Sequence, residues 1–140
     1  MTPRILVERF YNEVWNQAVE SVAWLLLHPQ FRFRASLGPE REGPQAFIDY
    51  LHAIHAALGA YTCVIEDLVE SDRRAAAKMR FCGVHRGPFF GVSPTGRQIT
   101  WAGAAFFTTD GRQITALWVL GDIDAVKRQL GSAADASFTS

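Results

Sequence analysis

The first apolar residues of the chain recur at the spacing of a helix. Four of them occupy positions i, i+3, i+4 and i+7 of one stretch: Val7, Phe10, Tyr11 and Val14. This spacing places them on one helical face. Thr2 and Pro3 come just before, a hydroxyl that can cap a helix followed by proline at the first helical position. The pattern therefore predicts an amphipathic helix that begins at Thr2–Pro3.

Two further helices are predicted before the middle of the chain. The stretch "QAVESVAWLLLH" is a shorter helix that Pro29 ends, because proline cannot continue a helix. Gly43 and Pro44 open a third helix, which Gly59 ends. Its inward positions recur at helical spacing: Phe47, Leu51, Ile54 and Leu58.

Alternating patterns dominate the rest of the chain. "QFRFRAS" places phenylalanine and arginine at alternate positions, which is the period of a strand. Four more strands are predicted, at about 61–69, 74–86, 97–108 and 113–121, and a short helix at 122–130 closes the chain. Helices followed by a run of strands indicate an α+β fold, in which the helices pack on one face of a curved antiparallel sheet.

Composition narrows the classes of function. Hydrophobic residues make up 49% of the 140 residues, and the 14 Lys and Arg residues equal the 14 Asp and Glu residues. We expect one domain over residues 1–131 and a flexible tail at 132–140. The balanced charge argues against binding to nucleic acid or to a membrane surface. No signal peptide or membrane-spanning run is evident, so we expect a cytoplasmic protein.

The two cysteines carry little functional signal. Cys63 and Cys82 lie far apart in sequence and lack the spacing of a zinc site. They could form one bridge, but two reduced, buried thiols are the favoured interpretation.

Four stretches resemble those of a known family: "RFYNEVWNQ", "GPQAFIDYLHAIHAAL", "VIEDLVESDRRAAAKMRFCGVHRGPFFGVSPTGRQITWAG" and "DAVKRQLG". They resemble the SnoaL-like polyketide cyclases over nearly the whole chain, and "GVHRGPFFGVSPTGRQ" is the most specific part. The resemblance implies a cone-shaped fold like that of nuclear transport factor 2, with N-terminal helices packed in a curved antiparallel sheet around a central pocket. It also implies an intramolecular aldol reaction that needs no metal or organic cofactor.

The sequence departs from this family at the residues that would carry the chemistry. The resemblance implies an essential aspartate on the last strand and a histidine on the strand before it. An ungapped alignment places these positions on Val119 and Ala105. Neither side chain has a titratable proton, and general acid–base catalysis requires one. Strand alternation places both on small or apolar faces, with Trp101 on the same face as Ala105 as a possible stacking surface.

Asp122 is the first candidate for a relocated acid or base. It lies three positions after Val119 and matches a second aspartate of the family pattern. The alternative is that Asp122 caps the last helix, in which case its carboxylate would be a poor base. We favour the cap, and we expect Asp124 only to complement the dipole of the same helix.

Other candidates surround the predicted pocket. His55 lies near the inner face of the third helix. Arg34 occupies one of the alternating positions of the predicted strand "QFRFRAS" and could bind an anion or an enolate if it points into the pocket. Asp122, Arg34 and His55 are therefore the candidate catalytic residues. The candidate pocket residues are Tyr50, Arg80, His85, Trp101, Ala105 and Val119. A metal pair of His52 and His55 has no third ligand in view, so no metal is predicted.

Two functions of different classes follow. The first is a cofactor-free aldol-type cyclase or proton-transfer enzyme acting on a hydrophobic, polyketide-like ligand. The second is a non-catalytic protein that binds such a ligand, and the residues at 105 and 119 motivate it. A third hypothesis, an epoxide hydrolase, would need Asp67, Arg80 and Asp122 around a buried water. We also expect a homodimer through the outer face of the sheet, with Trp118 as an anchor.

Overall fold

A computed structural model describes residues 1–36 and 39–131. The helical elements are α1 (Pro3–Arg9), a π-helical segment (Phe10–Trp15), α2 (Glu20–Leu26), α3 (Pro44–Ala57) and α4 (Ile123–Leu130). The strands are β1 (Leu27–Arg34), β2 (Arg41–Glu42), β3 (Leu58–Glu70), β4 (Arg74–His85), β5 (Gln98–Thr109) and β6 (Ile114–Gly121). The α+β class predicted from the sequence is confirmed. The predicted tail at 132–140 lies outside the described residues.

The first helix begins as the sequence predicts. The hydroxyl of Thr2 accepts a hydrogen bond from the backbone N–H of Ile5, and Pro3 occupies the first helical position. The predicted helix then changes geometry at Phe10. The N–H of Asn16 donates to the carbonyl of Tyr11, which is the i→i+5 bond of a π-helix.

One six-stranded sheet follows the order β2-β1-β6-β5-β4-β3. All neighbouring strands are antiparallel except β1 and β6, which run parallel. Register shifts in β3 at 59–62 and 65–67 mark bulges, which bend a strand and increase its twist. The helices pack against one face of the bent sheet.

The predicted boundary between α2 and β1 was wrong. β1 already begins at Leu27, so the end of the predicted second helix belongs to the sheet. Pro29 lies inside β1, where the ladder between β1 and β6 is interrupted between Leu27 and Arg32. Proline has no backbone N–H, and it is tolerated at this position because the interrupted ladder requires no hydrogen bond from it. Similarly, β3 begins at Leu58, one residue before the glycine predicted to end α3.

The strands separate two faces, as their alternation predicts. The inner face packs on the helices and includes Ile99, Trp101, Ala105 and Phe107 of β5, all buried. The outer face retains exposed apolar residues: Phe106, Trp118 and Leu120. Within the described ranges, no helix combines the length and hydropathy needed to cross a membrane.

Asn16 joins the π-helical segment to β3. Its side-chain amide donates to the carbonyl of Cys63 at 3.0 Å, and its side-chain oxygen accepts from the N–H of Cys63 at 2.7 Å. β3 is the last strand of the sheet, so its free edge has no neighbouring strand at this point. The two bonds satisfy this edge and hold the helical segment against it.

We expect Asn16→Ala to lower the free energy of unfolding by about 1–3 kcal/mol, because it leaves a partly buried backbone N–H and carbonyl unpaired. Asn16→Asp keeps the acceptor for the N–H but places a carboxylate oxygen against the Cys63 carbonyl, so it should also be destabilising. Urea unfolding measures both. Equal stability of Asn16→Ala and the wild type would show that the amide does not hold the edge.

Candidate functional site

A cavity of about 60 Å³ lies between the helices and the inner face of the sheet. Its lining is largely aromatic and comes from the π-helical segment, α3 and five strands or strand ends. The lining residues are Tyr11, Trp15, Phe33, Ala35, Ser36, Phe47, Tyr50, Ile54, Tyr61, Phe81, Trp101, Leu117 and Val119. Ser36, Tyr50 and Val119 are half-buried, so the cavity approaches solvent beside these residues.

The π-helical segment supplies one wall. Tyr11 and Trp15 both line the cavity and both belong to it. Trp15 meets the ring of Phe47 at 5.4 Å and that of Tyr61 at 5.3 Å, each edge to face. Such aromatic contacts stabilise beyond the area that they bury. Single π-helical turns occur frequently at functional sites, and this one agrees with that tendency.

Alternate residues of the central strands supply the opposite wall. Trp101 of β5 packs against Phe81 of β4 at 5.4 Å and against Tyr61 of β3 at 6.1 Å. Leu117 and Val119 of β6 continue the wall. These residues lie on the inner face because every second side chain of a strand points the same way.

Gly121 keeps one part of this wall open. A Cβ atom at this position would lie 2.6 Å from the hydroxyl of Ser36 and 3.1 Å from the indole nitrogen of Trp101. The first distance is shorter than real Cβ contacts allow. A side chain here would therefore displace two residues that line the cavity.

All three tyrosines of the chain line the cavity. Burial raises the pKa of Tyr11 and Tyr61 well above the usual range for a phenol. Burial also raises the pKa of Tyr50, although the nearby charge of Arg41 opposes this shift. The three phenols therefore remain protonated at neutral pH, so they can donate hydrogen bonds but cannot act as bases.

Val119 and Ala105 are direct partners across β5 and β6. Val119 lines the cavity, whereas Ala105 is fully buried and does not reach it. Trp101 and Tyr50, two other predicted pocket residues, do line it. Among the described residues that line the cavity, none is a carboxylate, an imidazole, an amine or a guanidinium.

Asp122 is the cap of α4. Its side-chain oxygen accepts a hydrogen bond from the N–H of Ala125 at 3.1 Å, and its carboxylate is exposed. It does not line the cavity. The position of Asp122 therefore agrees with a role as a helix cap. A catalytic role would require its carboxylate to reach the cavity, which it does not line. Asp124 forms an ion pair with Arg128 on the surface of the same helix.

His55 also lies outside the cavity. Its Nε2–H donates to the carbonyl of Trp15 at 2.9 Å, and its ring stacks on that of Trp15 with an interplanar angle of 23°. His55 therefore supports the wall from behind. His52 points elsewhere and pairs with Glu20 at 2.9 Å. Within residues 1–36 and 39–131, no group of three or more potential metal ligands is present.

Arg34 and Arg80, predicted as a catalytic and a pocket residue, lie on the opposite face of the sheet from the cavity. The guanidinium of Arg34 lies over the Trp118 ring, 5.5 Å from its centroid. Arg80 pairs with Glu66 at 2.9 Å. Strand alternation accounts for this placement, because Phe33 and Phe81, one residue away from each arginine, occupy the inner face.

His85 is fully buried at the end of β4 but does not line the cavity. Its Nδ1 accepts a hydrogen bond from the backbone N–H of Thr95 at 3.2 Å and lies 2.9 Å from the hydroxyl of the same residue. His85 therefore fixes the connection between β4 and β5.

The cysteines and the proposed hydrolase residues stay apart. Cys63 is buried on the inner face, and Cys82 is a free thiol on the outer face, so the two do not form a bridge. Burial raises the pKa of Cys63, which leaves it a protonated thiol. Asp67 and Arg80 are both exposed, and the carboxylate that Arg80 binds is that of Glu66. No buried Asp–Arg–Asp set forms among the described residues.

The sequence model of the SnoaL-like polyketide cyclases matches residues 5–130, which is nearly the whole chain. The chain belongs to this family. No curated protein sequence matches it.

Solved structures of the SnoaL fold match the chain along its length. A protein of Jannaschia sp. CCS1 named as a SnoaL-like polyketide cyclase is 21% identical, with a TM-score of 0.84 over 92% of this chain and 91% of that one. IdmH of Streptomyces antibioticus, named as a polyketide cyclase, is 21% identical, with a TM-score of 0.82 over 94% and 99%. TsrD of Streptomyces laurentii is 22% identical, with a TM-score of 0.80 over 92% and 94%. At these identities the likeness establishes the fold alone.

Most of the aromatic lining was missed by the sequence reasoning. The overlooked residues are Tyr11, Trp15, Phe33, Phe47, Tyr61 and Phe81. Their signal was present, since each lies at an inward position of a helix or strand. An inward position alone does not distinguish a core residue from a residue that lines a cavity.

We expect Asp122→Ala to destabilise the protein by about 1 kcal/mol, because it removes the cap of α4. Asp122→Asn keeps an oxygen acceptor and removes the acid, so it should unfold at nearly the wild-type urea concentration. A loss of stability in the asparagine variant equal to that in the alanine variant would contradict the cap.

Alkaline titration tests the environment of the cavity. The pKa of each tyrosine is raised in the folded state, so its contribution to stability is complete below about pH 10 and is lost as the pH rises further. Above that pH, each tyrosine should lower the free energy of unfolding by about 1.4 kcal/mol per pH unit. We therefore expect tyrosinate absorbance to appear in one cooperative step together with the loss of circular dichroism. Tyrosinate formed near pH 10 in a folded protein would contradict the burial.

Proposed function

We propose that this SnoaL-like protein binds a small hydrophobic carbonyl compound, of polyketide type, in the inner cavity and supplies no general base. One observation carries the proposal: aromatic rings and hydroxyl groups line the cavity, and no charged or imidazole side chain does so among the described residues. A mostly apolar concave site with a few polar groups is the usual form of a small-molecule site.

The lining offers two kinds of contact to such a ligand. Trp101, Phe81 and Trp15 present aromatic surface for an apolar skeleton. The phenols that line the cavity are protonated at neutral pH and are of the kind that donates hydrogen bonds to carbonyl oxygens, and the hydroxyl of Tyr61 also hydrogen-bonds the Cys63 side chain. This combination favours a flat ligand with oxygen acceptors at its edge.

The ligand has to enlarge the cavity. A volume of 60 Å³ corresponds to about two water molecules, which is far less than the roughly 300 Å³ of a drug-sized site. The half-buried residues Ser36, Tyr50 and Val119 are the ones with room to move, because solvent lies beside them. We infer that the ligand enters between them.

The pair of Ala105 and Val119 argues against the aldol mechanism that the family resemblance implies. The two positions face each other on neighbouring strands, and neither carries a group that can take a proton from carbon. Asp122, the nearest acid along β6, is used to cap α4. Binding without a general base is therefore the function that the geometry supports best.

A second candidate is a cyclase that promotes an aldol step through hydrogen bonding alone. The phenols of the cavity favour it, because donors placed at a carbonyl oxygen stabilise the enolate as its charge develops. The carbon-bound proton would then pass to water, and the phenols would only polarise the carbonyl.

Benzoylacetone, a small hydrophobic diketone, separates the two candidates. Binding is measured by quenching of tryptophan fluorescence, and proton transfer by deuterium exchange at its central carbon in heavy water. We expect saturable binding with the exchange rate of buffer. Val119→Phe should fill the cavity and weaken binding at least about tenfold, equal to 1.4 kcal/mol.

Leu120→Phe is the matched control, since Leu120 is the next residue of β6 and lies exposed on the outer face. It should bind like the wild type. Val119→Asp restores the acid of the family pattern and should raise the exchange rate of the bound diketone. Exchange catalysed by the wild type and lost in Tyr50→Phe would establish the second candidate. Equal affinity of Val119→Phe and the wild type would reject the cavity as the site.

A further inference from the structure

A second concave site lies on the outer face of the sheet, on the side away from the helices. This outer groove has a volume of about 570 Å³, which is within the range of small-molecule sites. The residues that line it are Arg32, Arg34, Glu40, Val69, Glu70, Ser71, Arg74, Ala75, Ala76, Phe106, Phe107, Thr108, Ala116, Leu117 and Trp118.

The strand registers arrange its residues in two rows. One row crosses the sheet from β1 to β3 and is mostly apolar and aromatic: Arg34, Trp118, Phe106, Ala76 and Val69. The next row ends in arginine on both sides and has small residues between: Arg32, Ala116, Thr108 and Arg74. We call the first row the aromatic wall and the second row the floor. An arginine lies at each end of the floor.

The aromatic wall is exposed and preformed. The rings of Phe106 and Trp118 lie 5.7 Å apart, and these side chains are 51% and 41% exposed. The two rings are tilted by 57° to each other and present an exposed, angled apolar surface to solvent. An aromatic ring of a ligand could pack against the exposed part of either side chain.

Arg34 brings an unused donor to the same place. Its guanidinium lies over Trp118, and its Nη1 is shielded from solvent with no hydrogen-bond partner among the described residues. A shielded guanidinium donor without a partner is costly unless an anion or another acceptor satisfies it. Arg74 at the far side is exposed and has no acidic partner within the described ranges.

The acidic residues of the groove do not cancel this charge. Glu40 pairs with Arg32, and Glu70 accepts a hydrogen bond from the backbone N–H of Arg4. The groove therefore holds three arginines against two glutamates, and the glutamates are already engaged. An acceptor supplied from outside would complete the set.

We propose that the outer groove binds a flat aromatic carboxylate, with its rings on Phe106 and Trp118 and its carboxylate on Arg34. Arg74 adds attraction from the other end of the floor. A second copy of this chain is the competing occupant, because this face is apolar and is the one through which the sequence leads us to expect a homodimer, with Trp118 as an anchor. An excess of positive charge makes the groove a poor partner for an identical groove, whereas it complements an anion.

Naphthalene-2-carboxylate is the probe, and naphthalene-2-carboxamide, which lacks the charge, is its control. Titration calorimetry should show saturable binding of the acid, at least about tenfold tighter than the amide, because a charge-assisted hydrogen bond is the stronger kind. Arg34→Gln should weaken binding of the acid about tenfold and leave that of the amide unchanged. Raising the salt concentration should also weaken binding of the acid.

Three variants make the test specific. Arg74→Gln should weaken binding of the acid to a smaller degree, and it checks the groove independently if Arg34→Gln folds poorly. Arg112→Gln changes an exposed arginine in the turn after β5 and should bind like the wild type. Val119→Phe fills the inner cavity and should also leave this binding unchanged, which separates the outer groove from the proposed function.

Several results would overturn the proposal. These are the absence of saturable binding, equal affinity for acid and amide, and binding that Val119→Phe abolishes while Arg34→Gln does not. Sedimentation addresses the competing occupant. A wild-type dimer that Trp118→Ala converts to a monomer would show that a second copy covers the groove, and would also reject the proposed ligand site.

Discussion

The packing of aromatic rings between the helices and the inner face of the sheet determines the remaining features of this protein. Phe10 meets Phe47 of α3 at 5.2 Å and Phe107 of β5 at 5.6 Å, so one ring joins a helix and the sheet to the π-helical segment. The rings of Trp15 and Tyr61 extend this packing toward β3. The cavity is a space between these rings and the inner face of the sheet that no side chain fills.

The sequence predicted the fold to the extent that local patterns determine it. The cap at Thr2, the apolar face of α3 and the alternation of β4 to β6 are properties of short stretches, and the structure has all of them. Two features depend on distant residues and were not predicted. The π-helical segment is held by the bonds of Asn16 to β3, and the parallel pairing of β1 with β6 joins residues as far apart in sequence as Leu27 and Ile114.

The candidate site was predicted less well than the fold, for a physical reason. Arg34, Arg80 and His55 were candidates because their side chains are charged or titratable. Strand alternation places the two arginines on the outer face, and a hydrogen bond to a backbone carbonyl holds His55 outside the cavity. The departure at Val119 was visible in the sequence and concerns a residue that does line the cavity. The absence of an acid at a given position can be read from the sequence, whereas the direction in which a long polar side chain points depends on its neighbours in the fold.

The cavity and the outer groove are separated by the thickness of a single sheet. Leu117 borders both spaces, and its neighbours Trp118 and Val119 face one space each. A small rotation of β6 about its own axis would widen one space and narrow the other. If occupation of either space shifts this strand, thermodynamic linkage requires that each ligand alter the affinity of the other by the same factor. Strand β6 would then couple two sites that lie on opposite faces of the sheet.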